Sequence, residues 1–146
     1  MRISSRFTIA VHMLSLIHVL TDQLTSEQIA DSVNTNAVII RQISGLLKKA
    51  GIIGVKRGTG GAYLLKEPSV ISLYDIYQAV DVVDDNGLFH SHENPNPMCW
   101  VGSNIHEVLG VFLLKAQHAM EDVLRHVSLE EITDLIKQKK NASLEA

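Results

Sequence analysis

The sequence predicts a mainly α-helical chain with one small β-hairpin, and three observations carry that prediction. Apolar residues recur at three- and four-residue spacing along most of the chain, the period of helices buried on one face. The rhythm breaks once, where "IIGV" (residues 52–55) and "AYLL" (62–65) flank the glycine-rich "KRGTGG". Two short β-favouring runs around such a tip read as a hairpin. Helical spacing then resumes and runs longest from about Gly102 to His126.

Taken in order, Ser4 or Ser5 can cap a first helix reaching Leu20. Thr8, His12, Ser15 and His18 form one polar stripe on that otherwise apolar helix. It therefore lacks the ~18 uninterrupted apolar residues of a membrane span, and no small-residue cleavage site follows it. After the turn "TDQL", Thr25 or Ser26 caps a second helix, with Glu27 and Gln28 at its start and Ile29, Ala30 and Val33 on its apolar side. "NTN", Asn34 to Asn36, reads as a tight turn, because asparagine tolerates left-handed backbone and caps the next helix. That third helix runs from Ala37 to Ala50 with Ile40, Ile43, Leu47 and Ala50 as its buried stripe, and Gly51 stops it.

Beyond the hairpin, Pro68 breaks the chain and Ser72 caps a helix from Leu73 to Val83. A loop rich in Asn, Pro and His follows, "DDNGLFHSHENPNPMCW". Ser128 caps a last helix, "LEEITDLIKQKK", whose end is expected to fray.

The composition narrows the functional classes. A chain of 146 residues, 46% of them apolar, suits one packed domain or a small domain with an appended helical region. Its single cysteine, Cys99, excludes an intramolecular disulfide framework and suits a reducing, cytoplasmic compartment. The net charge of −3 conceals a split. Residues 1–66 hold eight Lys/Arg against three Asp/Glu, and residues 67–146 hold five against thirteen. A polyanion would dock on the basic half and be repelled by the acidic one.

Helix, tight turn, helix and two-strand hairpin make a winged helix-turn-helix, whose second helix of the pair enters the major groove of DNA. "VIIRQISGLLKKAGIIGVKRGTGGAYLLKEPSVISLYDIYQAV" resembles the Rrf2 family of bacterial transcription regulators. Leu47, Ala50 and Gly51 match the Leu-x-x-Ala-Gly that ends the family's recognition helix. Arg57, Gly58, Gly60 and Gly61 match its wing, Arg-Gly-x-x-Gly-Gly-Tyr-x-Leu, with Ala62 ahead of Tyr63 and Leu64 shifting the match by one. The resemblance implies a winged helix-turn-helix over residues 1–66, a connecting helix and sensor-like loop over 67–101, and a dimerisation helix and C-terminal helix over 102–146. It also implies a homodimer on a palindromic operator, with repression as the expected mode. Twofold symmetry would double the few contacts one small unit makes.

The candidate DNA-binding residues follow from this placement. Thr35, Asn36, Arg41 and Gln42 open the recognition helix off its buried stripe, and Arg and Gln suit bidentate readout of guanine and adenine. Lys48 lies further along the same helix, and Ser5 and Arg6 at the first helix start could meet phosphate. In the wing, Lys56, Arg57, Gly58, Thr59, Gly60 and Tyr63 are candidates, the cations for phosphate or the minor groove. A nucleotide-phosphate loop is excluded there, because these glycines join two strands and no Gly-x-x-x-x-Gly-Lys-[Ser/Thr] occurs.

Many family members hold an iron–sulfur cluster on three cysteines in the loop before the dimerisation helix. Only Cys99 stands in that loop here, so no cofactor is expected. "HSHENPNPMC" does supply His90, His92 and Cys99, with His106 beyond and His12 on the first helix, donor types that zinc or iron accept. Their spacing matches no familiar metal site, and solvated loop histidines are the plainer reading. Cys99 alone is a possible redox sensor, an adjacent helix start near Val101 favouring its thiolate. Two other readings stay open: a protein-interaction adaptor that keeps the fold without DNA binding, and a small redox or metal enzyme centred on Cys99. No catalytic constellation supports the second, and the partners expected are double-stranded DNA and a second copy of the chain, not a membrane.

Overall fold

The computed structural model describes residues 5–20, 24–58, 61–80, 88–89 and 91–145. Helix α1 (Ser5–Val19) lies at the centre of the fold and packs against α2 (Ser26–Val33), α4 (Leu73–Val80), α6 (Leu129–Glu145) and the hairpin. Its Ala10, Met13 and Leu14 are fully buried, as its apolar sequence requires. Ser15 departs from the expected polar stripe: it is buried. Its hydroxyl donates to the Val11 carbonyl at 2.7 Å, which satisfies a polar group that the packing covers.

The helix pair forms as the sequence dictates. Thr25 caps α2 in a reciprocal capping box with Gln28: the Thr25 hydroxyl accepts from the Gln28 N–H at 3.2 Å, and Gln28 Oε1 accepts from the Thr25 N–H at 2.9 Å. Asn34 then takes left-handed backbone at φ 65°, and Asn36 caps α3 (Ala37–Lys49) by accepting from the Ile39 N–H at 3.0 Å. Ile40, Ile43 and Leu47 are buried, whereas Ala50 is exposed and lies past the last helical turn. Gly51 at φ 76° ends α3. The Ile52 N–H reaches back to the Leu47 carbonyl at 3.1 Å and the Gly51 N–H to that of Lys48 at 3.0 Å, the double bond of a Schellman turn.

That turn feeds directly into strand β1 (Ile53–Val55), which pairs antiparallel with β2 (Ala62–Leu64) in the register Ile53–Leu64, Gly54–Tyr63, Val55–Ala62. Both strands are shorter than their β-favouring runs. A short 3-10 turn, Pro68–Val70, leads to α4, capped reciprocally by Ser72 and Asp75 at 3.0 Å each way. Helix α4 is described to Val80, and the remainder of its expected span lies outside the described residues.

Helix α5 (Ile105–Arg125) begins three residues later than its spacing suggested, because residues 97–104 form successive turns. Helix α6 runs on to Glu145, past the expected fraying point. It returns to the amino-terminal body through an antiparallel bridge between Ser72 and Ser128. There the Leu73 N–H donates to Val127 and the Leu129 N–H to Ile71, both at 2.8 Å. Leu129 joins Ile71, Ile76 and Val80 in the core.

Candidate nucleic-acid interface

Burial of Ile40, Ile43 and Leu47 turns the opposite side of α3 outward. Val38, Arg41, Gln42, Gly45 and Lys48 occupy that exposed face at spacings of three and four residues. Val38 is 58% exposed, an apolar side chain of the kind that contacts a thymine methyl. At Gly45 an added Cβ would meet nothing, so the helix backbone there is open to close approach. Val38 and Gly45 carry neither charge nor side-chain amide, so residue type alone does not mark them. The signal that finds them is their phase, opposite the buried stripe.

The expected residues fall as follows. Arg41 and Gln42 are exposed on the first half of α3, and Lys48 on its last turn. Asn36 is occupied as the helix cap, and Thr35 is half-buried in the turn before it. Ser5 and Arg6 are exposed at the start of α1. Arg41 is not free in this conformation: its Nη2 donates to Glu27 Oε1 on α2 at 2.6 Å.

The hairpin leaves α3 without a spacer, so the Schellman turn fixes wing and recognition helix relative to each other. Lys56 and Arg57 are exposed, and Gly58 adopts φ 86°, a conformation that side chains rarely reach. The Lys56 N–H donates to the Gly61 carbonyl at 2.9 Å and closes the base of the tip. Thr59 and Gly60 lie outside the described residues. Tyr63 is 41% exposed, and its ring covers Gly54 so closely that a Cβ there would sit 2.6 Å from its Cζ. Counted residue by residue, Arg57 to Leu65 fits the wing pattern without the expected shift. Ala62 stands in place of its second glycine.

The other candidate centre is described only in part. His12 Nε2 is 3.0 Å from Ser32 Oγ, joining α1 to α2. His92 stacks edge-on against His106 with ring centres 4.9 Å apart, and His90 lies outside the described residues. No group of three or more His, Cys, Asp or Glu that could hold a metal occurs among the described residues. One thiolate does not fit a cluster built on three. Cys99 itself is exposed. Backbone N–H groups, Gly102 first and then Val101, hold its thiol below the ordinary pKa. These groups belong to the turn before α5, not to the helix start expected near Val101. Gly102 is required there, since a Cβ would lie 2.7 Å from the Asn96 carbonyl oxygen.

A capped helix pair, a recognition helix with an exposed polar face, and a cationic hairpin directly behind it define a winged helix-turn-helix transcription regulator. The sequence profile of the Rrf2 family, described as iron-dependent transcriptional regulators, matches residues 3–135. The chain belongs to that family. It is 45% identical over 130 residues to Bacillus subtilis YwnA, which carries the name of an HTH-type transcriptional regulator, covering 89% of this chain and 96% of that protein. A crystal structure described as that of a DNA-binding protein is 40% identical, with a TM-score of 0.70 over 88% of this chain and 98% of that one. CymR, the global cysteine regulator of B. subtilis, shares the fold at 20% identity and a TM-score of 0.66, over 92% and 97% of the two chains. These relatives are regulators, not enzymes, and neither the adaptor nor the small-enzyme alternative finds support among them. No described helix is long and apolar enough to cross a membrane.

Proposed function

We propose that this chain is a cytoplasmic repressor that binds an inverted-repeat operator as a homodimer and works without an iron–sulfur cluster. The observation that carries the reading is the outward face of α3, Val38 to Lys48, fixed by one turn to the exposed Lys56 and Arg57. In this reading Arg41, Gln42 and Val38 meet base edges, while Lys48, Lys56, Arg57, Ser5 and Arg6 meet phosphates. Thr59, Gly60 and Tyr63 are further DNA contacts in this reading.

The dimer reading rests on α5. Val108, Phe112 and Val123 are 58%, 61% and 65% exposed along one side of it. Monomers rarely leave such an apolar stripe in water, and a second copy of the helix would cover it. Binding the chain to fragmented DNA of its own organism, followed by sequencing of what is retained, tests the proposal. A recurring inverted repeat is expected, bound by a dimer in sedimentation. Retention without any shared sequence would refute it.

A redox reading of Cys99 is favoured by its exposure and by the N–H groups that stabilise its thiolate. Oxidation would then release DNA. Release that persists in Cys99→Ser would rule this switch out.

A further inference from the structure

An ion pair between Arg41 and Glu27 joins the exposed face of α3 to α2. Glu27 is the second residue of α2, and the capping box of that helix uses Gln28 in its place. The Glu27 carboxylate therefore reaches across to α3. Both side chains remain largely exposed, at 57% for Arg41 and 66% for Glu27. Exposed pairs of this kind contribute little to stability, so the pair has little to do for the fold. Glu27 also sits where a negative charge opposes DNA binding in general.

We propose that Glu27 is a positioning residue that fixes Arg41 for reading one base, so that specificity at that base pair depends on a side chain that need not touch it. This rests on the DNA-binding reading above. A guanidinium has five N–H donors in a rigid fork, and one hydrogen bond from Nη2 to Glu27 leaves an edge with two parallel donors for guanine O6 and N7. An unheld arginine can swing to a phosphate, a contact that carries no sequence information. Glu27 disfavours that alternative in two ways. It restrains the rotamer before binding, which lowers the ordering cost of the specific contact. Its charge also repels the phosphate that would compete for Arg41. Glu27 thus trades general affinity for discrimination.

The test measures binding of the full chain to its selected operator and to every single-base variant of it. The proteins compared are wild type, Glu27→Ala, Glu27→Gln, Arg41→Ala and the Glu27→Ala/Arg41→Ala double variant. Wild type and Glu27→Ala should unfold at similar denaturant concentration, as expected for an exposed pair. Arg41→Ala should abolish the preference at one base pair per half-site. Glu27→Ala should lose about tenfold of that same preference, part of the range a bidentate contact supplies, while binding unrelated DNA more tightly. Glu27→Gln keeps an acceptor for Arg41 and should fall between. In the Arg41→Ala background, Glu27→Ala should change no base preference. If both Glu27 variants tighten binding to all DNA and keep the wild-type preference, the pair is only a surface contact and the inference fails. If Arg41→Ala leaves every preference intact, it fails as well, because Arg41 then reads no base. A wild-type chain that selects no sequence fails differently: it overturns the regulator reading itself.

Discussion

The guanidinium of Arg125 lies over the ring of Tyr74, 4.1 Å from its centre. Arg125 ends α5 and Tyr74 is the second residue of α4, so this stack joins the long helix to the amino-terminal body. Asp122 accepts from Arg125 at 2.9 Å, and the largely buried Glu121 lies 3.8 Å away. On the other side, Tyr74 contacts Tyr77, whose ring meets Phe7 of α1 edge-on at 6.1 Å. A continuous set of side chains thus runs from the end of α5 to the start of α1, next to Arg6.

Arg125→Ala should loosen this joint without unfolding the chain. Amide exchange in α4 should accelerate most, because that helix carries Tyr74. Unchanged exchange in α4 would show that burial alone holds the helices together.

The core and the exposed face of α3 should respond differently to truncation. Leu47→Ala opens a cavity at a fully buried site and should cost about 2–5 kcal/mol in urea unfolding. Lys48→Ala, its exposed neighbour, should stay within about 0.5 kcal/mol. Its effect should appear in DNA binding instead. Equal stability losses would contradict the packing described here.

The turns that set the wing against α3 are also testable. Gly51→Ala forces a side chain into left-handed backbone and should cost about 1–2 kcal/mol. Asn36→Ala removes the cap of α3 and should cost about 1 kcal/mol. Chemical denaturation of the two variants reads both values.

Much of this architecture was legible because it rests on local chemistry. Thr25, Asn34, Asn36, Gly51 and Ser72 each stand where a helix must start or stop, and each does so through a backbone contact it alone makes easily. What escaped reading depends on neighbours distant in sequence. Ser15 is buried because α1 is covered from several sides, which its own hydroxyl cannot reveal. Ala50 lies one position past the end of its helix, although its spacing continues the stripe. The pairing of Arg41 with Glu27, fourteen residues apart, needs two helices to cross and has no sequence signature. The turns before α5, which supply Cys99 with its N–H donors, look like irregular loop in the sequence.

Those donors give Cys99 a pH signature. Because they stabilise the thiolate, deprotonation is complete at lower pH than in an ordinary thiol. Alkylation by iodoacetamide should rise with pH and level off earlier in the folded chain than in the same chain in urea. Gly102→Ala, which drives a Cβ against Asn96, should move the profile back toward that of the unfolded chain. Identical profiles for folded and unfolded wild type would contradict the assignment.

Whether α3 and the wing form one DNA-binding surface is decided by the affinity for a selected operator across a range of salt concentrations. The wild type should show a steep fall with salt, because phosphate contacts release counterions. Arg57→Ala should weaken binding to all sequences alike and reduce the slope of log affinity against log salt by about one. A slope that Arg57→Ala leaves unchanged, or an affinity indifferent to salt, would mean that the wing does not meet the phosphate backbone.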